Sequence, residues 1–143
     1  MKRRTSTLIV LMAALALVAA ACSSDDSAEG FRIAIVAPSA SNDLAFTQSM
    51  VDAANSIEGA EVSVTDGTFV VEDAAVAIRD YASDGFDLVI AHGSQYGGSL
   101  QEIAPDFPEV SFAWGTAADT FGLPNVFSYE AASDQGGEVM GKM

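Results

Sequence analysis

Three short apolar runs, at residues 33–37, 86–91 and 110–114, set the terms on which this chain can fold. The first is β-branched at Ile33, Ile35 and Val36, and the second is interrupted only by Asp87. A strand that is apolar on both faces belongs in the middle of a parallel sheet, between two covering layers. Parallel neighbours need crossover connections, so helical segments are expected between the runs.

The intervening sequence supplies them. Pro38 stops the first run, and residues 39–43 are small and polar, with Ser41, Asn42 and Asp43 as candidate N-caps. From Leu44 the period becomes helical, with Phe46, Met50, Ala53, Ala54 and Ile57 expected on one inner face. Glu58-Gly59-Ala60 is a stop signal, residues 61–65 alternate like a strand with one wet face, and Asp66-Gly67-Thr68 is a turn signal. A helix over 72–83 presents Ala74, Ala75, Ile78, Tyr81 and Ala82 inward, with Gly85 as its C′ residue. His92-Gly93-Ser94 follows the second apolar run, and a helix from Ser94 or Gln95 reaches Ala104, with Leu100, Ile103 and Ala104 inward. Residues 105–108 end it, 115–124 form a loop, 126–129 a short strand, and Ser133 or Asp134 caps a last helix. The economical fold is α/β: a doubly wound parallel sheet in the order 2-1-3-4-5, with right-handed crossovers. Ligands of such sheets bind beyond the carboxyl ends of the strands, which singles out the loop at 39–46.

Residues 1–21 read as an export signal. Lys2, Arg3 and Arg4 form a basic start, and residues 8–21 are an unbroken run of apolar and small residues, short for a bilayer span. The lone cysteine, Cys22, follows Ala19-Ala20-Ala21, as in a bacterial lipobox, where the cysteine is lipidated and becomes the mature N-terminus. Residues 22–30 are a polar, acidic tether. Residues 31–143 are long enough for one domain with a core of its own.

Beyond the signal the chain keeps three of its six basic residues against all 20 acidic ones. That balance excludes nucleic acid, which needs a basic surface to replace counterions, and a polybasic membrane surface. It leaves small ligands open. Dinucleotide, P-loop and zinc-protease motifs are all missing, and no metal site or cofactor is expected. Gly97-Gly98-Ser99-Leu100-Gln101 falls short of a nucleophile elbow, because Gln101 stands where glycine is needed and Ser99 falls inside a helix. His92, the only histidine, ends a central strand; it is either a ligand contact or a hydrogen-bonded loop residue. Asp43, Asp119, Glu130 and Asp134 could all lie near strand ends, but nothing in the spacing sets them at a catalytic separation. Tyr96 and Trp114, at or just past strand ends, are candidates to stack on a flat ligand or to pack in the core. No catalytic residue is assigned.

Several segments then become familiar together: the lipobox, Asn42-Asp43-Leu44-Ala45-Phe46-Thr47-Gln48, the run from Gly85 to Gly93, Pro108-Glu109-Val110-Ser111-Phe112-Ala113, and Leu123-Pro124-Asn125-Val126-Phe127-Ser128-Tyr129. In this order and spacing they resemble the basic membrane protein family of solute-binding lipoproteins. The resemblance implies a periplasmic-binding-protein type I fold of two hinged lobes, of which residues 31–143 would be the N-terminal one, incomplete at its C-terminus; anchorage by lipid on the outer face of the bacterial cell membrane; and delivery of a small solute to an ATP-binding-cassette (ABC) permease. Characterised members bind purine nucleosides through an Asp-x-x-Phe-Asn-Gln pattern whose aromatic stacks on the base. This chain keeps Asp43, Phe46 and Gln48 and has Thr47 in place of Asn; Trp114-Gly115-Thr116 stands where many members carry an acid. The site expected from loop position and resemblance is Ser39, Asn42, Asp43, Phe46, Thr47, His92, Gly93, Ser94 and Trp114. The other readings are a sensor that presents its solute to a membrane signalling partner and, less favoured, an exported α/β enzyme.

Cys22 is therefore expected to carry a diacylglyceryl group as the first residue of the mature, membrane-associated protein. Intact-mass and peptide mass spectrometry check it: an uncleaved signal, or an unmodified thiol at Cys22, contradicts the lipobox assignment.

Overall fold

The computed structural model describes residues 30–143. The expected signal, Cys22 and all but the end of the tether lie outside the described residues. Five strands, β1 (Phe31–Val36), β2 (Ala60–Thr65), β3 (Leu88–Ala91), β4 (Ser111–Gly115) and β5 (Val126–Tyr129), form one sheet in the order β2-β1-β3-β4-β5. Every pairing is parallel. The helices are α1 (Phe46–Asn55), α2 (Val71–Ser83), α3 (Gly97–Ile103) and α4 (Ser133–Gly141), with single 3-10 turns at Ser94–Tyr96 and Ala104–Asp106. The doubly wound α/β order expected from the sequence is the one observed. No helix among the described residues is long and apolar enough to cross a membrane.

The strand pleat sorts side chains into two cores. Ala34, Val36, Val89, Ala91, Phe112 and Val126 meet Ala74, Ile78 and Ala82 of α2 and Leu100 and Ile103 of α3. On the other face Ile33, Ile35, Ala37 and Ile90 meet Ala54, Met50 and Val51 of α1. β1 is buried from Ile33 to Val36, as a strand between two layers must be, whereas edge strand β2 is only part-buried. Asn125 ties the chain at the far side: its amide donates to the carbonyls of Ala104, Phe107 and Val110 at 2.9–3.1 Å.

The inner face of α1 differs from the one expected. Thr47, Met50, Val51 and Ala54 turn inward, while Phe46, Ala53 and Ile57 are exposed. The stripe is rotated by one residue because Thr47, a polar residue to any hydropathy reading, is fully buried with its hydroxyl 2.7 Å from Ser39 Oγ. A buried hydroxyl that keeps a hydrogen bond avoids most of the desolvation penalty. Phe46 is thereby turned to the rim of the sheet. The helix expected up to Ala104 is likewise broken into 3-10, α and 3-10 pieces, with Gly97 and Gly98 at the first junction and Pro105 in the last turn. The last helix begins after Ala132 with no side-chain cap, so neither Ser133 nor Asp134 serves as one.

Asp43 organises the start of α1 from three residues before Phe46. Its Oδ1 accepts from the amides of Ala45 and Gln48 at 2.9 and 3.2 Å, and its Oδ2 from the Thr47 amide at 3.1 Å and the Ser39 hydroxyl at 2.7 Å. Gln48 Oε1 answers by accepting from the Leu44 amide at 3.0 Å, a reciprocal arrangement related to the capping box. Leu44 is held at φ 60° by this knot. The Ser39 hydroxyl, then the amides, hold the Asp43 carboxyl well below the ordinary value of 3.8.

A carboxylate depressed in the folded state adds stability above its unfolded pKa, and loses it as pH falls through the folded one. Asp43→Ala is therefore expected to lower the melting temperature at pH 7, with the gap to wild type narrowing as the pH is taken below 3.8. Melts across that range check it; a gap independent of pH excludes the carboxylate as its source.

Candidate functional site

Because the strands are parallel, the loops after β1, β2, β3, β4 and β5 meet at one edge of the sheet. The chain reverses its winding direction between β1 and β3, the place where an open α/β sheet leaves a crevice. Phe46 follows β1 and His92 follows β3, so the two meet at this point. Their rings stack at 3.9 Å between centroids and 17° between planes. His92 is 5% exposed and Phe46 38%, so the phenyl group is backed from beneath and open above.

Both nitrogens of His92 are engaged. Nδ1 lies 2.6 Å from the Tyr129 hydroxyl and Nε2 lies 3.0 Å from the Phe46 carbonyl oxygen. A carbonyl only accepts, so Nε2 carries the proton and Nδ1 accepts from Tyr129. Burial pushes the imidazole pKa below 6.5, with the Phe46 carbonyl and Asp43 acting in the other direction. Burial also pushes the Tyr129 phenol up, so it stays a donor. The imidazole is thus a neutral, fully partnered support.

The remaining expected residues fall into two groups. Ser39, Asp43 and Thr47 form the hydrogen-bonded knot under the first loop, and Asn42 is exposed above it. The loops after β1 and β2 are tied together: the Asp66 carboxylate accepts from the Ser41 amide, and the Gly67 and Thr68 amides donate to Ser39 and Ala37. On the other face of the sheet, Trp114 donates from Nε1 to the Gly93 carbonyl at 3.1 Å and stacks on Phe121 at 5.1 Å. It lies against Gly97, where any side chain would run into the indole. Ser94 is exposed beside Gly93. Tyr96, read from sequence as either stacking or core, is fully buried, and its hydroxyl donates to the Thr68 carbonyl at 2.8 Å. The non-glycine residues with positive φ, Leu44, Thr116 and Phe121, all belong to loops of this edge. Such outliers concentrate at functional rims.

Sequence reasoning missed Tyr129 and Gly115 as parts of this edge. The signal for Tyr129 was its place at the carboxyl end of a strand, on the same edge of the sheet as a lone histidine that needs a partner; nothing local marks Gly115.

Comparison with known proteins places the chain. Residues 31–141 match a family model described as Bmp, ABC transporter substrate-binding protein PnrA-like. A solved ABC transporter solute-binding protein from Conexibacter woesei DSM 14684 is 31% identical with a TM-score of 0.63, over 69% of this chain and 34% of its own. One from Aeropyrum pernix K1 shares the fold at 22% identity and a TM-score of 0.62, over 70% of this chain and 28% of its own. The chain thus spans about a third of the length of these two solved structures. No curated protein matches it significantly. With the sheet order and this match in agreement, the chain belongs to the Bmp family of PnrA-like ABC transporter substrate-binding proteins.

Proposed function

We propose that the chain supplies one lobe of an extracytoplasmic, lipid-anchored solute-binding protein, and that it captures a small solute with a flat ring, such as a purine nucleoside, for an ABC permease. The observation that carries this reading is the half-exposed Phe46 ring, backed at 3.9 Å by a buried imidazole at the switch point of the sheet. A ring already fixed in place loses little conformational freedom when a solute stacks on it, which is how preorganisation raises affinity. Phe46 also occupies the stacking position of the family pattern. Asn42 and Ser94, exposed on either side, supply hydrogen-bonding groups to a solute's polar rim. Ser39, Asp43 and Thr47 hold the first loop, while Gly93 and Trp114 hold the third. Anchorage is through Cys22, and residues 31–143 act as one domain.

A depression of 340 Å³ lies at the opposite, amino edge, lined by Gly85, Phe86, Asp87, Phe107 and Glu109 among others. Concavity is a poor guide here. A cleft closed by two lobes is an open surface on either lobe alone, and lobe closure completes it. The carboxyl edge is where the chain brings stacking and polar groups together.

Thermal-shift screening of the full-length protein against nucleosides, free bases, sugars and amino acids tests the reading. Nucleosides are expected to stabilise the wild type, and Phe46→Ala to lose about 1–2 kcal/mol of binding. The apo melting temperature of Phe46→Ala should change far less than that of Phe112→Ala, whose fully buried ring should cost about 3–5 kcal/mol of stability. Stabilisation only by a sugar or an aliphatic amino acid would overturn the stacking assignment. A fragment of residues 31–143 is expected to bind at least tenfold more weakly than the full-length protein; equal affinities in calorimetry would show that no second lobe contributes.

A further inference from the structure

We propose that Tyr129 and His92 form a positioning pair, passing over Gly115, that fixes the Phe46 ring for the solute; this rests on the reading of Phe46 as the stacking surface. β5 is separated from β3 by β4, so a side chain at the end of β5 reaches His92 only by crossing that strand. The register puts Tyr129 directly beside Gly115, and Ala91, the residue before His92, beside Trp114. His92, Gly115 and Tyr129 therefore lie on one line across the sheet. By the alternation of the pleat they share the face that carries Ile90, Ala113 and α1.

Gly115 makes the crossing possible. A Cβ there would sit 2.5 Å from the Tyr129 hydroxyl oxygen, 2.8 Å from its Cζ and 3.2 Å from His92 Nδ1. The glycine is needed for space, since its backbone does not lie in the left-handed region. With the gap open, the phenol donates to Nδ1 at 2.6 Å, and Nε2–H donates to the Phe46 carbonyl at 3.0 Å, which also accepts from the Ser49 hydroxyl at 2.8 Å. The three rings are then close to parallel, at 17° for Phe46 with His92 and 12° for His92 with Tyr129. An imidazole held at both nitrogens cannot rotate about its side-chain bonds, so the ring stacked on it is held as well. Tyr129 thus acts on the solute through two intermediates and need not touch it.

His92 is the single histidine of these 143 residues, and its signals in the full-length protein are assigned by their loss in His92→Asn. In the full-length, isotope-labelled protein, the imidazole tautomer and the nuclear Overhauser contacts between the His92 and Phe46 rings are recorded for wild type, Tyr129→Phe and Gly115→Ala. Melting temperature and the affinity for inosine are measured alongside. Wild type should show one neutral tautomer protonated at Nε2 and strong ring contacts. Both variants should remain folded, lose those contacts and bind inosine at least tenfold more weakly. If Gly115→Ala fails to fold, Tyr129→Phe decides, since it adds no atom. Ring contacts that persist in Tyr129→Phe overturn the pair whatever the solute does, and so does an unchanged inosine affinity once the contacts are lost. If no nucleoside binds the wild type while the contacts still vanish in the variants, the nucleoside reading falls and the positioning pair stands.

Discussion

Parallel strands cannot be joined by tight turns, and most of this structure depends on that constraint. Each connection has to cross a face of the sheet before the next strand can begin, so every loop that leaves a strand gathers at the same edge. The crossovers cover both faces, which is why β1 from Ile33 onward and β3 are apolar and why two cores exist instead of one. The order 2-1-3-4-5 then parts the first and third connections at the switch point. Phe46, at the start of the helix that follows β1, and His92, the residue after β3, meet there.

Burial at this edge is tolerated because the polar groups are partnered. Thr47, Thr68 and His92 are buried, and each has a hydrogen-bond partner: Ser39 for Thr47, the Ala37 carbonyl and Tyr96 for Thr68, Tyr129 and the Phe46 carbonyl for His92. Among the described residues no buried side-chain nitrogen or oxygen lacks one. An unpaired group in such a place would cost roughly 1–3 kcal/mol. The partners come from different loops, so the same bonds that satisfy the buried groups also lock the loops to one another. Rigidity of the edge and solvation of its polar atoms are one problem with one solution.

Two glycines do for this edge what side chains cannot. Gly97 lets the Trp114 indole lie against the start of α3, and Gly115 lets the Tyr129 phenol pass over β4. Each leaves the space that an aromatic ring of another segment occupies. The result is aromatic rings with few free torsions on both faces of the sheet at this edge.

The sequence by itself determined the layer order. Two-sided apolar runs at 33–37 and 86–91 cannot lie on a wet face, and the helical periods between them leave a doubly wound parallel sheet as the economical solution. It also located the edge where a site would form, since that follows from strand direction alone. It did not determine which way α1 turns, because Thr47 is inward only by virtue of a hydroxyl eight residues earlier in the chain. Nor did it pair His92 with Tyr129, which lies 37 residues away and across an intervening strand. Periodicity reports the local backbone and the average polarity of a face. The partner of a buried polar atom and the space left by a missing side chain are set by packing between distant segments, so the tertiary structure alone decided them.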